Sequence, residues 1–380
     1  MKELFCFFPH CHLKSTENEV LVYDTLTRKH VYLKESPLSK VDKESFHQGF
    51  LRVSKSLDGL INQCFDSELG YFVDFDGVPP FFYGRNLEFV TSLNKERKAL
   101  GYNLQSYTNL LLREMSVHLN NSIDSYSDEM YLQMEYPKFN SKIIKLDYIL
   151  QQLSLFQYLE NIILAGEVEI SSLWDALLYA KEFNIGVIHR VMFDAFNRDL
   201  ELELLDKFGN FFIELLVDNS VDITRVNSLL KERICVKAII KTMHDVEVFG
   251  GIRNVIFLPV LSYKHDNTDI LTQMIISEDE ILHSSKSIND CRISDYVNPS
   301  IFGRLTIDDD GDVSVLGKRI ASAFDSDLSS IINRWVGQNN CMWYKTRGKK
   351  STCKGCALQC LCPPISIYEE LGLYNRPCTI

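Results

Sequence analysis

The chain has 380 residues, 46% of them hydrophobic, and a net charge of -11. That length and composition can bury two or three sizeable cores, and the acidic balance argues against a nucleic-acid binder, which would carry a basic face. The sequence has no run of eighteen apolar residues, so no membrane span is expected. The opening Met1-Lys2-Glu3-Leu4-Phe5 is too acidic for a secretory signal, so the cysteines read as cytosolic metal ligands, not as disulfides, and a cytoplasmic location is expected.

In chain order, Cys6, His10, Cys11 and His12 put four possible metal ligands in seven residues. The set lacks a second half, and the alternation around Phe7 and Phe8 predicts a buried strand there instead. Residues 19–24 and 29–34 read as a hairpin around the Thr25-Leu26-Thr27-Arg28 turn. Phe50, Val53, Leu57, Leu60 and Ile61 recur at helical spacing and predict a helix. A second strand pair is expected at 70–74 and 80–83. A small N-terminal α+β domain over residues 1–92 follows, compatible with a winged-helix-like arrangement.

From 93 to 285 short apolar runs at 115–119, 161–165, 185–189, 211–217, 235–240 and 255–260 alternate with helical stretches such as 145–158 and 172–183. This rhythm predicts parallel βα units, in an open sheet or a barrel. At or near the predicted strand ends lie His118, Asp124, Glu167, His189 and Arg190. Spread over three strands, they read more readily as satisfied core or rim groups than as a catalytic set. The sequence shows no Gly-rich phosphate loop, nucleophile elbow or HExxH pattern.

From 286 to 380, residues 302–307 and 313–315 bracket an acidic turn as a hairpin. A calcium loop counted from Asp308 would need glycine at 313 and glutamate at 319, where the chain has Val313 and Arg319. A short helix is predicted over 328–335. Six of the eleven cysteines then fall in the last forty residues. Cys353 and Cys356 form a CxxC knuckle, Cys362 follows in front of Pro363-Pro364, and Cys378 returns from the C-terminus. Cys360, two residues before Cys362, points away from Cys356 in an extended chain or competes for its place. Cys341 lies upstream of the Arg347-Gly348-Lys349-Lys350 loop. Four thiolates brought together can hold zinc or an iron–sulfur cluster.

This spacing resembles the SPASM domain, the auxiliary-cluster module of radical SAM peptide maturases. Cys353-x2-Cys356-x5-Cys362 matches that pattern, Cys378 fills its last position, and Gly311 matches its glycine, whereas Leu316 and Ser366 stand where it has cysteines. The resemblance implies one cluster kept, on Cys353, Cys356, Cys362 and Cys378, and one lost. It also implies a partial (β/α)6 radical-SAM-like barrel over 93–285 and a C-terminal SPASM/twitch-like domain over 286–380. A radical SAM enzyme needs Cys-x3-Cys-x2-Cys after its first barrel strand, and this chain has no cysteine between Cys64 and Cys235. Ala165-Gly166-Glu167 partly matches the family's Gly-Gly-Glu. Over most of its length the chain therefore resembles pseudo-radical-SAM/SPASM proteins of ribosomal-peptide maturation.

That resemblance implies one [4Fe–4S] cluster, with zinc as the alternative, and no functional S-adenosylmethionine cluster. The implied partners are a precursor peptide, an active radical SAM maturase, or both; no nucleic acid or membrane is expected. The N-terminal domain weakly resembles leader-peptide recognition domains, with 29–33 or its partner 20–23 as the edge that would take an added strand. The alternative is a divergent enzyme that modifies peptides at the barrel mouth.

Overall fold

A computed structural model describes residues 2–75, 111–118, 130–132, 146–230, 232–262, 268–308, 310–338, 341–370, 372 and 377–378. The predicted strand at 80–83, and the loop after the first parallel strand with Asp124, lie outside them.

The N-terminal part holds two small sheets. Strands β1 (Lys2–Phe7), β2 (Cys11–Ser15), β3 (Val20–Asp24) and β4 (His30–Leu33) lead into α1 (Lys40–Gln48), β5 (Phe50–Arg52), α2 (Asp58–Asp66) and β6 (Gly70–Phe75). The orders are β5-β1-β6 and β2-β3-β4. The hairpin expectation holds, with Val22 opposite Val31. The helix expected from Phe50 onward is instead a strand, a loop and then α2. Gly49 ends α1 with φ 101°, and Phe50 and Leu51 pair with Cys6 and Phe5. The two apolar periods overlap there, so a helical template fitted both. Strand β6 pairs with β1 across its whole length, Gly70 opposite Phe7.

Strand β3 is the centre of its sheet, not an edge, because β2 covers its other side. Every side chain along it is buried, and the alternation shows why. Val20 and Val22 face the N-terminal core with Phe5, Phe7 and Phe46, while Leu21 and Tyr23 face Leu358, Leu361 and Ile281. The cysteine-rich segment thus forms the second wall of this sheet.

The large sheet is built from β7 (Glu114–His118), β8 (Met130–Leu132), α3 (Leu146–Leu153), β9 (Asn161–Ala165), α4 (Ile170–Glu182), β10 (Gly186–Met192), α5 (Arg198–Lys207), β11 (Phe211–Val217), α6 (Ile223–Leu229), β12 (Ile234–Ile240), α7 (Met243–Phe249) and β13 (Ile256–Ser262). Strands β7, β9, β10, β11, β12 and β13 are parallel neighbours in chain order, as the alternating rhythm predicts. One face of these strands packs Val187, Leu215, Val217, Val236 and Ala238 against Leu173, Leu177, Leu204, Val226 and Phe249 of the helices. Among the described residues the sheet is open, ending at β8 on one side. No helix of the described residues is long and apolar enough to cross a membrane.

Helices α8 (Thr268–Gln273), α9 (Glu278–Leu282) and α10 (Ile288–Tyr296) follow, then β14 (Arg304–Ile307), β15 (Asp312–Val315), β16 (Lys318–Ser322), α11 (Leu328–Val336) and α12 (Ile367–Glu370). The predicted hairpin is β14–β15, but it is not a separate layer. Strand β14 lies parallel to β7, with Ile307 opposite Val117, so the C-terminal strands extend the large sheet to ten strands among the described residues. Trp343 sits under this seam, wholly buried, its indole N–H donating to the Arg304 carbonyl at 3.0 Å.

The β14–β15 turn requires its glycine. Gly311 has φ +80°, and a Cβ added there would lie 2.3 Å from the Phe324 ring. Gly311→Ala is expected to cost about 1–3 kcal/mol through the left-handed backbone and that overlap. Chemical denaturation of the two proteins measures the difference.

Candidate metal centre

The C-terminal loop has little regular structure, so backbone and side-chain bonds must fix it. Gln359 Nε2 donates to the carbonyls of Cys353 (2.7 Å) and Lys354 (3.1 Å), which closes the knuckle. Lys286 Nζ donates to the carbonyls of Cys360 (3.0 Å) and Cys362 (2.9 Å). Asn298 Nδ2 donates to the Ile365 carbonyl at 3.0 Å. From the N-terminal sheet, Glu19 Oε2 accepts the Ala357 amide at 2.7 Å, at the start of the 3-10 turn Ala357–Cys360. Cys378 is held by a bridge between its segment and Ile276, whose amide donates to the Pro377 carbonyl at 2.8 Å.

Cys353, Cys356, Cys362 and Cys378 line one cavity of about 210 Å³, walled also by Glu19 and Arg347. Burial pushes the Cys356 thiol up to about 11, with Glu19, Cys378 and Cys353 adding to the rise. Burial pushes Cys362 up to about 12 against the Arg347 guanidinium, which pulls it down. Thiols this reluctant to ionise release their protons when a metal takes the sulfur. Among the described residues, one set of three His, Cys or acidic side chains brings its donor atoms within 4.8 Å of one another, and it is not in this cavity.

Arg347, which the sequence reading passed over, is the buried cation of the site. Its two terminal nitrogens each meet a Glu369 carboxylate oxygen at 2.8 Å. It also donates to the Pro363 carbonyl, to the Pro364 carbonyl at 3.0 Å, and toward Cys353 Sγ at 3.9 Å. Lys350 Nζ adds a 2.7 Å bond to Glu369. Burial pushes the Glu369 carboxyl up, but Arg347 and Lys350 overcome it and hold the carboxyl below its ordinary range. The sequence does offer one signal: Ser366-x-x-Glu369 is a capping-box pattern. The Ser366 hydroxyl accepts the Glu369 amide and the Glu369 carboxylate accepts the Ser366 amide, both at 3.3 Å.

The two positions where the SPASM pattern has cysteine have structural roles here. Ser366 caps α12. Leu316 begins the β15–β16 turn, where it and Gly317 have φ 50° and 65°, both positive as in a type I′ hairpin. The other cysteines lie elsewhere. Cys341 sits in the main core with Met342 and Trp343. Cys6 packs with Leu4 and Phe50, and the Cys11 thiol donates to the Leu69 carbonyl. His10 stacks on Phe8 and faces Asp24, so the early His/Cys set is split apart.

The described candidates at the parallel sheet do not converge. His118 is fully buried with Nδ1 2.9 Å from Asp308 Oδ1, across the β7–β14 seam. His189 points to the helical layer, between Glu201 Oε2 (2.6 Å) and the Gly166 carbonyl (3.0 Å). Glu167 is exposed at the end of β9. Arg190 faces the opposite side, where Nε meets Glu214 Oε2 at 2.7 Å and Lys237 Nζ meets Glu214 Oε1 at 2.7 Å.

No family model matches the chain, and no curated protein matches it. Among solved structures, SuiB of Streptococcus suis bound to its precursor peptide SuiA aligns over 98% of this chain and 98% of its own, at 12% identity and a TM-score of 0.41. SuiB alone, and SuiB bound to S-adenosylmethionine, each align over 98% of this chain and 97% of their own, at 12% identity and a TM-score of 0.44.

Proposed function

We propose that this chain is a non-catalytic, radical-SAM-like accessory protein of ribosomal-peptide maturation, with one metal site on Cys353, Cys356, Cys362 and Cys378. The observation that carries the reading is the placement of these four thiols around one cavity, beside a buried guanidinium. The resemblance to the SPASM pattern favours a [4Fe–4S] cluster over zinc, which four thiolates could equally hold, and Arg347 offsets the negative charge that they bring. Such a cluster would supply a structural anchor or a one-electron relay; S-adenosylmethionine cleavage is not expected, since no cysteine lies between Cys64 and Cys235.

Anaerobic purification with iron, sulfide and zinc analysis tests the site. Cys356→Ala is expected to bring iron and sulfide to background, while Cys341→Ala and Cys360→Ala leave both in place. Equal loss of iron in either of the last two would overturn the choice of ligands. Incubation with dithionite and S-adenosylmethionine is expected to release no 5′-deoxyadenosine above a no-protein control.

The binding partner in this reading is a precursor peptide, a maturase, or both. Strand β4 ends its sheet among the described residues, so its outer side is the edge that would take an extended peptide. Titration with precursor peptides encoded beside the gene measures this, and binding that survives loss of residues 1–92 would place recognition elsewhere. A second reading, a divergent enzyme, draws on the Arg190–Glu214–Lys237 cluster, which lies on the sheet face away from the helices. Modification of a peptide by the purified protein alone would favour it.

A further inference from the structure

His12, Cys291 and Cys360 come from three distant parts of the chain and meet in the interior. His12 is on β2, Cys291 on α10, and Cys360 ends the 3-10 turn Ala357–Cys360. Their donor atoms all lie within 4.8 Å of one another, and the residues are 6%, 0% and 0% exposed. Cys360 therefore turns its back on the four-cysteine cavity. Apolar packing alone explains two buried thiols in this cluster, which also holds Ile281, Leu282 and Leu358. It does not explain an imidazole brought against both sulfurs.

The geometry points to a second metal site, in which His12, Cys291 and Cys360 bind a single zinc ion. Imidazole and thiolate are the donor types zinc selects, at about 2.0–2.1 and 2.3 Å. Tetrahedral angles then set the donors roughly 3.5–3.8 Å apart, so atoms already within 4.8 Å close on one ion by small side-chain movements. Asp295 lies one helical turn beyond Cys291 on α10, and a water molecule would complete the tetrahedral shell. Asp295 acts electrostatically on Cys360, and its carboxylate is held 2.6 Å from Lys14 Nζ, two residues along β2 from His12. Two thiolates and a neutral imidazole cancel the charge of the ion, which suits a buried site.

The elements that carry the ligands are already fixed against one another. Ser287 and Asp290 form a capping box that starts α10, Lys286 holds the Cys360 and Cys362 carbonyls, and Lys14–Asp295 ties β2 to α10. A bound ion would staple the N-terminal sheet to the cysteine segment. The site shares no ligand with the cavity of Cys353, Cys356, Cys362 and Cys378, and it does not rest on the function proposed above.

The test uses the full chain, purified anaerobically and dialysed against zinc alone. Elemental analysis is expected to find about one tightly held zinc per chain that survives in Cys356→Ala, where the other site is emptied. His12→Ala, Cys291→Ser and Cys360→Ser are each expected to lose that zinc and to keep the iron, while His12→Cys is expected to retain it. Undiminished zinc in the three loss variants overturns the site. Should the variants fail to fold, zinc X-ray absorption on the unsubstituted protein decides. A shell of two sulfurs with nitrogen and oxygen supports the assignment, and four sulfurs or no zinc refutes it.

Discussion

Arg347→Ala is expected to destabilise the protein by about 3–5 kcal/mol, because it removes one partner from a buried ion pair and leaves the other charged. Arg347 and Glu369 side chains are 4% and 0% exposed, and their contact is bidentate. The substitution also strands the Pro363 and Pro364 carbonyls, which flank the segment leaving Cys362. Lys350 keeps its own bond to Glu369, so the loss falls toward the lower end of that range. Arg347→Lys should recover little, since a lysine cannot make the parallel pair of bonds. The double variant Arg347→Ala/Glu369→Gln should be more stable than the sum of the single losses, because the uncompensated carboxylate is gone. Urea denaturation measures all of these, and additive losses would show that the pair is not coupled. Iron bound at the four-cysteine cavity is expected to fall in Arg347→Ala and to recover partly in the double variant.

The parallel core was legible because its strands are continuous apolar runs in chain order, each followed by a helix. The β3–β4 hairpin was legible because its partners are adjacent in sequence. What the sequence left unread was non-local. Strand β6 pairs with β1, and β14 with β7, across long separations that no local pattern announces. The helix expected from Phe50 failed because a three-residue strand and a helix start can share one apolar spacing.

Cys353 and Cys356 were legible as a pair, since a CxxC knuckle brings two sulfurs to one side by local geometry; Cys362 and Cys378 were joined to them by the resemblance to the SPASM pattern. His12, Cys291 and Cys360 were not, because nothing near residue 291 or residue 12 encodes the other. The pairing of Arg190 with Glu214 was half-legible. Arg190 stood out as a strand-end charge, but its partner lies in the middle of the apolar run Phe211–Val217. A lone carboxylate inside such a run is itself a signal, and Lys237 in Ile234–Ile240 is the same signal with the opposite sign. Alternation places Glu214 and Lys237 on the same side of neighbouring strands, where Leu216 sits opposite Lys237.

That cluster sets the other large expected effect. Glu214→Gln leaves Arg190 and Lys237, 10% and 13% exposed in their side chains, without their shared counter-charge. A loss of about 3 kcal/mol is expected at pH 7. Burial pushes the Glu214 carboxyl up, but Arg190 and Lys237 overcome it and hold the carboxyl below the usual carboxylate range. Burial and Arg190 lower the ammonium of Lys237, so the two cations repel once Glu214 is gone. A carboxyl lowered in the folded state contributes stability that is complete above its unfolded value, about 4.3. That contribution fades as pH falls through the lower folded value. The unsubstituted protein should therefore lose stability below about pH 4.3 along a slope that Glu214→Gln lacks, and the gap between them should narrow. Denaturant melts of both proteins from pH 7 to pH 3 read this directly. A gap that stays constant across that range would mean that folding does not shift the Glu214 carboxyl.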